Sequence, residues 1–133
     1  MSLRLEQQLG PSPVAVRPIS AEERAVLERA LRFAATDDAA VLPIEKLDSL
    51  HVVGKCPCGC ASVDFRHLNE GEIAEVVADA IGETPDGERV EVLVFALDGD
   101  VVALEIVGYA DTPASLPIAS TVRGWDGAIP GTE

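Results

Sequence analysis

The chain has 133 residues, of which 47% are apolar and 25% are charged, and its formal net charge is −13. This size and composition are typical of one globular domain with a single core. No apolar run approaches the roughly 20 residues that cross a bilayer, and the acidic balance weighs against direct binding to nucleic acid or to anionic membranes.

The negative charge is concentrated in one part of the chain. Residues 1–35 contain five arginines and four acids, a balance of +1, whereas residues 69–111 contain twelve acids and one base, Arg89, a balance of −11. A field of this sign steers basic proteins or cations toward the second half of the chain. The sequence therefore predicts a basic protein partner, although an acidic surface also serves solubility alone.

Residues 1–19 are predicted to form an extended arm, because Pro11, Pro13 and Pro18 interrupt regular structure. The first nine residues mix leucines with polar and charged side chains and lack a signal-peptide core. Three cysteines without a secretion signal indicate free thiols in a reducing compartment. We therefore expect a cytoplasmic protein.

A helix is predicted over residues 20–35. Ser20 is its N-cap, and Glu23, three residues later, completes a capping box. Apolar residues at three- and four-residue spacing give the helix one face for burial. They are Val26, Leu27, Ala30, Leu31, Phe33 and Ala34.

The periodicity changes to two at Leu50, which predicts an antiparallel sheet over residues 50–109. The first hairpin reverses at Cys58 and Gly59, so that Cys56 lies opposite Ala61. This register places Ser62 on the solvent face. The buried face comprises Leu50, Val52, Gly54, Cys56, Ala61, Val63, Phe65 and His67.

The remaining strands follow from turn signals. Residues 73–81 fit a helix or a strand, and we favour a strand because a turn and a strong strand follow. Residues 89–97 and 101–109 form a hairpin about Asp98 and Gly99, with Val92 opposite Glu105.

The predicted fold is α+β in one domain, residues 1–133, with an N-terminal helix packed on an antiparallel sheet of about five strands. The proline- and glycine-rich tail, residues 110–133, is expected to dock on the sheet. A homodimer partner is the competing cover for the second face of the sheet, so both a monomer and a homodimer stay open.

All three cysteines lie within five residues, at Cys56, Cys58 and Cys60. With a histidine they would make a Cys3His set that zinc accepts. The two-residue reversal, however, places Cys56 and Cys60 on opposite strands and opposite faces, so we predict that the sulfurs diverge. At about 3.3 Å per residue, His51 lies some 16 Å from Cys56 and His67 lies some 20 Å from Ala61, so neither reaches a metal at the tip. A looser loop that gathers the thiolates around zinc or copper(I) is the alternative.

Glu105 is the one carboxylate set among apolar residues, in the run 101–107. Burial there would raise the pKa of its carboxyl group and make it a candidate functional residue. A position at a sheet edge, or pairing with Arg89 or Arg123, is the structural alternative. His67 is the other candidate for acid–base chemistry, but we see no serine elbow, Cys/His pair or phosphate-binding glycine loop.

The loop Cys56 to Cys60, followed by residues 61–64, and the later segment 98–106 together resemble a group of small uncharacterised bacterial proteins. These carry a C-x-C-G-C reversal and a later G-x-hydrophobic-x-x-L-E-I strand. The resemblance covers roughly residues 50–117 and implies that residues 76–81 form a strand of a compact meander. It implies no site residue.

Three functions remain open from the sequence. The first is a non-enzymatic acidic module that binds a basic protein, as an inhibitor or immunity-type protein does. The second is a small metal-thiolate protein centred on Cys56, Cys58 and Cys60. The third is an enzyme that uses Glu105 or His67. We expect no cofactor if the first is correct and zinc if the second is correct.

Overall fold

The computed structural model describes residues 13–33 and 44–125. In these ranges the chain forms one α-helix and one antiparallel sheet of six strands, in the order β1-β2-β3-β6-β5-β4. The elements are β1 (Pro13–Pro18), α1 (Ala21–Leu31), β2 (His51–Lys55), β3 (Val63–Asp64), β4 (Glu75–Glu83), β5 (Arg89–Leu97) and β6 (Asp100–Gly108), with short 3-10 helices at Ile44–Ser49 and Ala119–Thr121. None of the described helices combines the length and the apolar character needed to span a bilayer.

The α+β class and the antiparallel sheet are confirmed, and so is the strand favoured for residues 76–81, which is β4. The expected strand number was wrong. The sixth strand, β1, forms within the predicted arm and pairs with β2. The helix therefore follows a strand and is not the first element of the chain.

The start of α1 is set by a local hydrogen-bond pair. The Ser20 hydroxyl accepts the amide of Glu23 (3.0 Å), and the Glu23 carboxylate accepts the amide of Ser20 (2.9 Å). Arg17 in β1 donates to the same carboxylate (2.8 Å). Burial raises the pKa of Glu23, but the Arg17 and Ser20 donors outweigh it, and the pKa is lowered. The helix ends at Leu31, earlier than predicted, and residues 34–35 lie outside the described part of the chain.

The β5–β6 register differs from the prediction by one residue over most of its length. A bulge between Phe95 and Ala96 shifts the pairing, so that Glu105 faces Leu93 while Val92 faces Ile106. Because adjacent strand residues point to opposite faces, this shift sends Ile106 toward the helix and Glu105 to the other face.

The core lies between α1 and one face of the sheet, where the helix contacts β4 and β5. Small and β-branched side chains dominate this face, which lets the helix approach closely. The fully or almost fully buried members are Val26, Leu27, Ala30, Val63, Ala78, Ala80, Val92, Val94, Leu104 and Ile106.

The tail pairs with the outer edge of β4 over its last residues. The amide and carbonyl of Ile81 exchange hydrogen bonds with Arg123 (both 2.8 Å), and the amide of Ile118 donates to the carbonyl of Glu83 (2.8 Å). Arg123 also forms a salt bridge with Glu83 (2.9 Å). Val122 is fully buried and fixes this segment to the core. Residues 126–133 of the tail lie outside the described ranges.

Candidate metal centre

The loop between β2 and β3 is one residue longer than a two-residue hairpin would make it. The amide of Cys56 donates to the carbonyl of Ser62 (3.4 Å), not to that of Ala61, and the amide of Gly59 donates to the carbonyl of Cys56 (3.2 Å). Gly59 has a φ of +92°, a conformation that side chains with a Cβ rarely adopt. The predicted pairing of Cys56 with Ala61 is therefore wrong. The loop from Cys56 to Ser62 forms a wider turn than the predicted two-residue reversal.

This wider turn brings the three sulfurs together. Cys56 Sγ lies 2.9 Å from Cys58 Sγ, and the three Sγ atoms lie within 4.8 Å of one another. The amide of Cys60 donates a hydrogen bond to Cys58 Sγ (3.4 Å), which holds the backbone of Cys60 close to this thiol. The prediction that the sulfurs diverge is wrong, because it assumed ideal strand geometry up to the tip.

The separations can be compared with a metal-thiolate site. A tetrahedral zinc ion with Zn–S bonds of about 2.3 Å holds its sulfurs about 3.8 Å apart. The observed separations, from 2.9 Å to at most 4.8 Å, differ from this value by about 1 Å or less. Side-chain rotation alone covers shifts of this size.

A hydroxyl group on the neighbouring residue positions the most buried thiol. Cys60 is 8% exposed, and its Sγ lies 3.3 Å from the Ser62 hydroxyl. The amide of Ile106 in β6 donates to the same hydroxyl oxygen (2.8 Å), which anchors Ser62 to the central sheet. Contacts of this kind orient metal ligands in known sites. Sequence reasoning missed Ser62, which it placed on the solvent face.

The three thiols do not have equal acidity. The hydrogen bond to the Cys58 thiol raises the pKa of Cys56 to about 11, against a lowering by the Cys58 backbone and with smaller increases from burial and from Cys60. Burial alone would raise the pKa of Cys60, but hydrogen bonds from Ser62 and the other two cysteines lower it below the ordinary value. Negative charge therefore forms at Cys60 before it forms at Cys56, and Cys56 keeps its proton until a cation replaces it.

The thiols open onto a concavity of about 390 Å³. Glu105 and Asp111 also line it, and the amide of Ala61 donates to the carbonyl of Ala114 (2.9 Å) at its wall. Glu105 is exposed and takes part in none of the salt bridges of the described residues, since Arg123 pairs with Glu83. The burial considered for Glu105 is therefore not observed. Two carboxylates beside three sulfurs give this concavity a charge that favours a cation.

Neither histidine belongs to this site. His51 is exposed and its Nδ1 atom contacts the carbonyl of Ser49 (3.0 Å). His67 is also exposed, beside Gly54, which corrects its predicted place on the buried face. Among the described residues, those that line the concavity include Glu105 and neither histidine. The three thiols are the group whose ligand atoms lie close enough together to hold one ion, while the two carboxylates only line the same concavity.

A comparison with known proteins found no matching family model, no similar curated protein and no similar solved structure. The function of this chain must be sought in the chemistry of its own residues.

Replacing Ser62 by alanine is expected to weaken metal binding at the thiols by about 10–100-fold, because Cys60 loses the hydroxyl that orients it and stabilises its thiolate. The Ile106 amide loses its acceptor in the same variant, which costs about 1–3 kcal/mol of folding free energy. Metal titration and urea unfolding measure the two effects separately. Ser62→Thr, which keeps the hydroxyl, is the matched control, and equal affinities for the alanine and threonine variants would contradict the positioning role.

Proposed function

We propose that this protein binds a soft transition-metal ion, zinc in the first place, through Cys56, Cys58 and Cys60. The observation that carries the proposal is the convergence of the three Sγ atoms within 4.8 Å. Thiolates select zinc and copper(I) over harder ions. Three protein ligands beside an open concavity correspond to the class of zinc site that keeps one coordination position for water or another small ligand.

Several local features support this assignment. The Cys60 amide contacts the sulfur of Cys58, and the Ser62 hydroxyl contacts the sulfur of Cys60 from outside the cluster, as the residues around metal ligands do in known sites. Glu105 and Asp111 add negative charge on the open side. Without a cation, three adjacent thiols can ionise only against mutual repulsion.

The metal content of the purified protein tests the proposal. Protein prepared under reducing conditions without chelator is expected to contain about one zinc per chain by mass spectrometry, and Co²⁺ in its place should give thiolate-to-metal charge-transfer absorption. Copper(I) titration in competition with zinc identifies which ion is preferred. Protein that takes up no zinc, copper(I) or Co²⁺ at equimolar amounts would contradict the function.

Metal binding is expected to release protons and to strengthen as pH rises. At neutral pH the thiol of Cys56, with a pKa raised to about 11, is protonated and must lose its proton to become a ligand. At least one proton should therefore leave per ion bound. Calorimetry in two buffers of different ionisation enthalpy measures this number, and zinc binding without proton release would exclude Cys56 as a ligand.

A second function, recognition of a basic protein partner as by an inhibitor or immunity-type protein, is favoured by the charge of −11 over residues 69–111. A catalytic role for Glu105 or His67 has less support. Both side chains are exposed, and Glu105 lines the thiol concavity while His67 lies beside Gly54.

A further inference from the structure

The sheet face that points away from α1 carries a mixed surface of acids and aromatic rings. We define the acidic face as Asp79, Glu91, Leu93, Glu105, Tyr109 and Trp125. Pairing across the sheet places Leu93 between Asp79 and Glu105, and Glu91 lies opposite Ile81 and Val107. The four strand residues occupy neighbouring positions on three adjacent strands, and contacts join Tyr109 to Glu91 and Trp125 to Asp79, so the side chains form one continuous surface.

Aromatic groups are held beside the carboxylates. Trp125 is 53% exposed and its Nε1 donates to Asp79 (2.7 Å). Tyr109 is 65% exposed, and its hydroxyl lies 3.4 Å from the Glu91 carboxylate. Exposed tryptophan and tyrosine are enriched among the residues that dominate protein interfaces, and their rings attract arginine and lysine.

The carboxylates of this face are not neutralised within the described part of the chain. The salt bridges of these described residues involve other acids: Arg123 pairs with Glu83, and Arg89, on the same face of β5 as Glu91, takes part in none of them. Arg89 lies near Tyr109 at one end. Burial and the adjacent Asp79 raise the pKa of Glu91, which indicates that the two acids repel each other. A cation placed between them would remove that repulsion.

We infer that the acidic face docks an arginine- or lysine-rich segment of a partner protein, with the cationic side chains between Asp79, Glu91 and Glu105 and against the rings of Tyr109 and Trp125. This docking site deepens the second proposed function, recognition of a basic protein, by naming the surface that binds it. It does not depend on metal at the thiols. A second copy of the chain is a poor occupant, because a twofold interface would set the same acids against each other. The tail already pairs with β4 at Ile81 and Glu83, so recognition there must use side chains and not an added strand.

Titration with hexa-arginine and hexa-glutamate peptides tests this inference. Trp125 is the single tryptophan of the chain and therefore reports contact at the acidic face by fluorescence. Hexa-arginine is expected to bind at low salt, to change this fluorescence and to dissociate as salt rises, whereas hexa-glutamate should do none of these.

Two charge-matched double variants locate the binding. Asp79→Asn with Glu91→Gln should weaken hexa-arginine binding about tenfold, while Glu70→Gln with Asp86→Asn, which removes the same charge from exposed loops, should change it less than about twofold. Amide shifts in NMR spectra of the unmodified protein should cluster on β4, β5, β6 and Trp125. Equal weakening by both variants, or shifts spread over other surfaces, would overturn the location. Absence of hexa-arginine binding at low salt would overturn both the location and the basic-partner function.

Discussion

Cys58→Ser is expected to weaken zinc binding more than 100-fold, equivalent to more than about 2.8 kcal/mol. A serine hydroxyl is a poor ligand for a soft ion and stays protonated at neutral pH, so only two of the three sulfur donors remain. Cys58 is exposed, and its sulfur contacts the other two cysteines of the cluster. A serine oxygen can still accept the amide of Cys60. The fold should therefore survive the substitution, and the loss should be confined to the metal.

Competition with a chromophoric chelator measures this affinity, and thermal unfolding gives an independent readout. Zinc at 100 times its dissociation constant should stabilise the unmodified protein by about 2.7 kcal/mol, and the serine variant should show no such gain at the same concentration. His51→Gln is the control, since His51 is exposed and contacts only the Ser49 carbonyl. Equal zinc affinity in the serine variant and this control would remove Cys58 from the site.

Leu104→Ala is expected to lower the free energy of unfolding by about 3–4 kcal/mol and the melting temperature by roughly 10–15 °C. Leu104 is fully buried at the centre of the sheet, between Val63 on β3 and Val94 on β5. Both neighbours are themselves buried in strands, so they cannot move far enough to fill the space left by the side chain.

Leu93→Ala is the matched control, because it makes the same chemical change on the adjacent strand but on the acidic face. Leu93 is half-buried there, so we expect a cost of roughly 1 kcal/mol. Urea unfolding at neutral pH compares the two variants. If both changes cost the same, the acidic face is as well covered as the helix face and is not free to bind a partner.

Local signals predicted well those parts of the fold that depend on neighbouring residues. The capping box of Ser20 and Glu23 fixed the start of α1, since both bonds span three residues. The Asp98–Gly99 turn gave the tip of the β5–β6 hairpin, where Leu97 pairs with Asp100. Both elements are determined by backbone preferences that a few residues decide.

The errors arose where distant strands set the geometry. The bulge between Phe95 and Ala96 leaves no mark in the hairpin sequence, and β6, the partner strand, is also held on its other side by β3 and by the Phe65 amide, which donates to the carbonyl of Val102. The same holds for β1, whose pairing partner β2 lies beyond the helix. Such pairings depend on the whole sheet and leave little trace in residue periodicity.

The thiol site also combines features that the local sequence predicts with features that distant strands determine. The sequence identified all three cysteines, but the register of one hairpin decided whether their sulfurs meet. Ser62 could not be recognised as a neighbour of Cys60 with a structural role, because its anchor, Ile106, is 44 residues away in the chain. Glu105 was chosen because it stands among apolar residues, but its exposure follows from the bulge between Phe95 and Ala96 on the neighbouring strand β5.

The pairing of Ile81 and Glu83 with the tail has a consequence for the handling of this protein. Cleavage before residue 117 would leave the amide and carbonyl groups at the end of β4 without partners, on a strand whose side chains are largely apolar. Unpaired strand edges of this kind recruit further strands from other molecules. A chain shortened in this way should therefore assemble into insoluble fibres or aggregates. The segment from Ile118 to Arg123, which pairs with β4, protects the protein from this association.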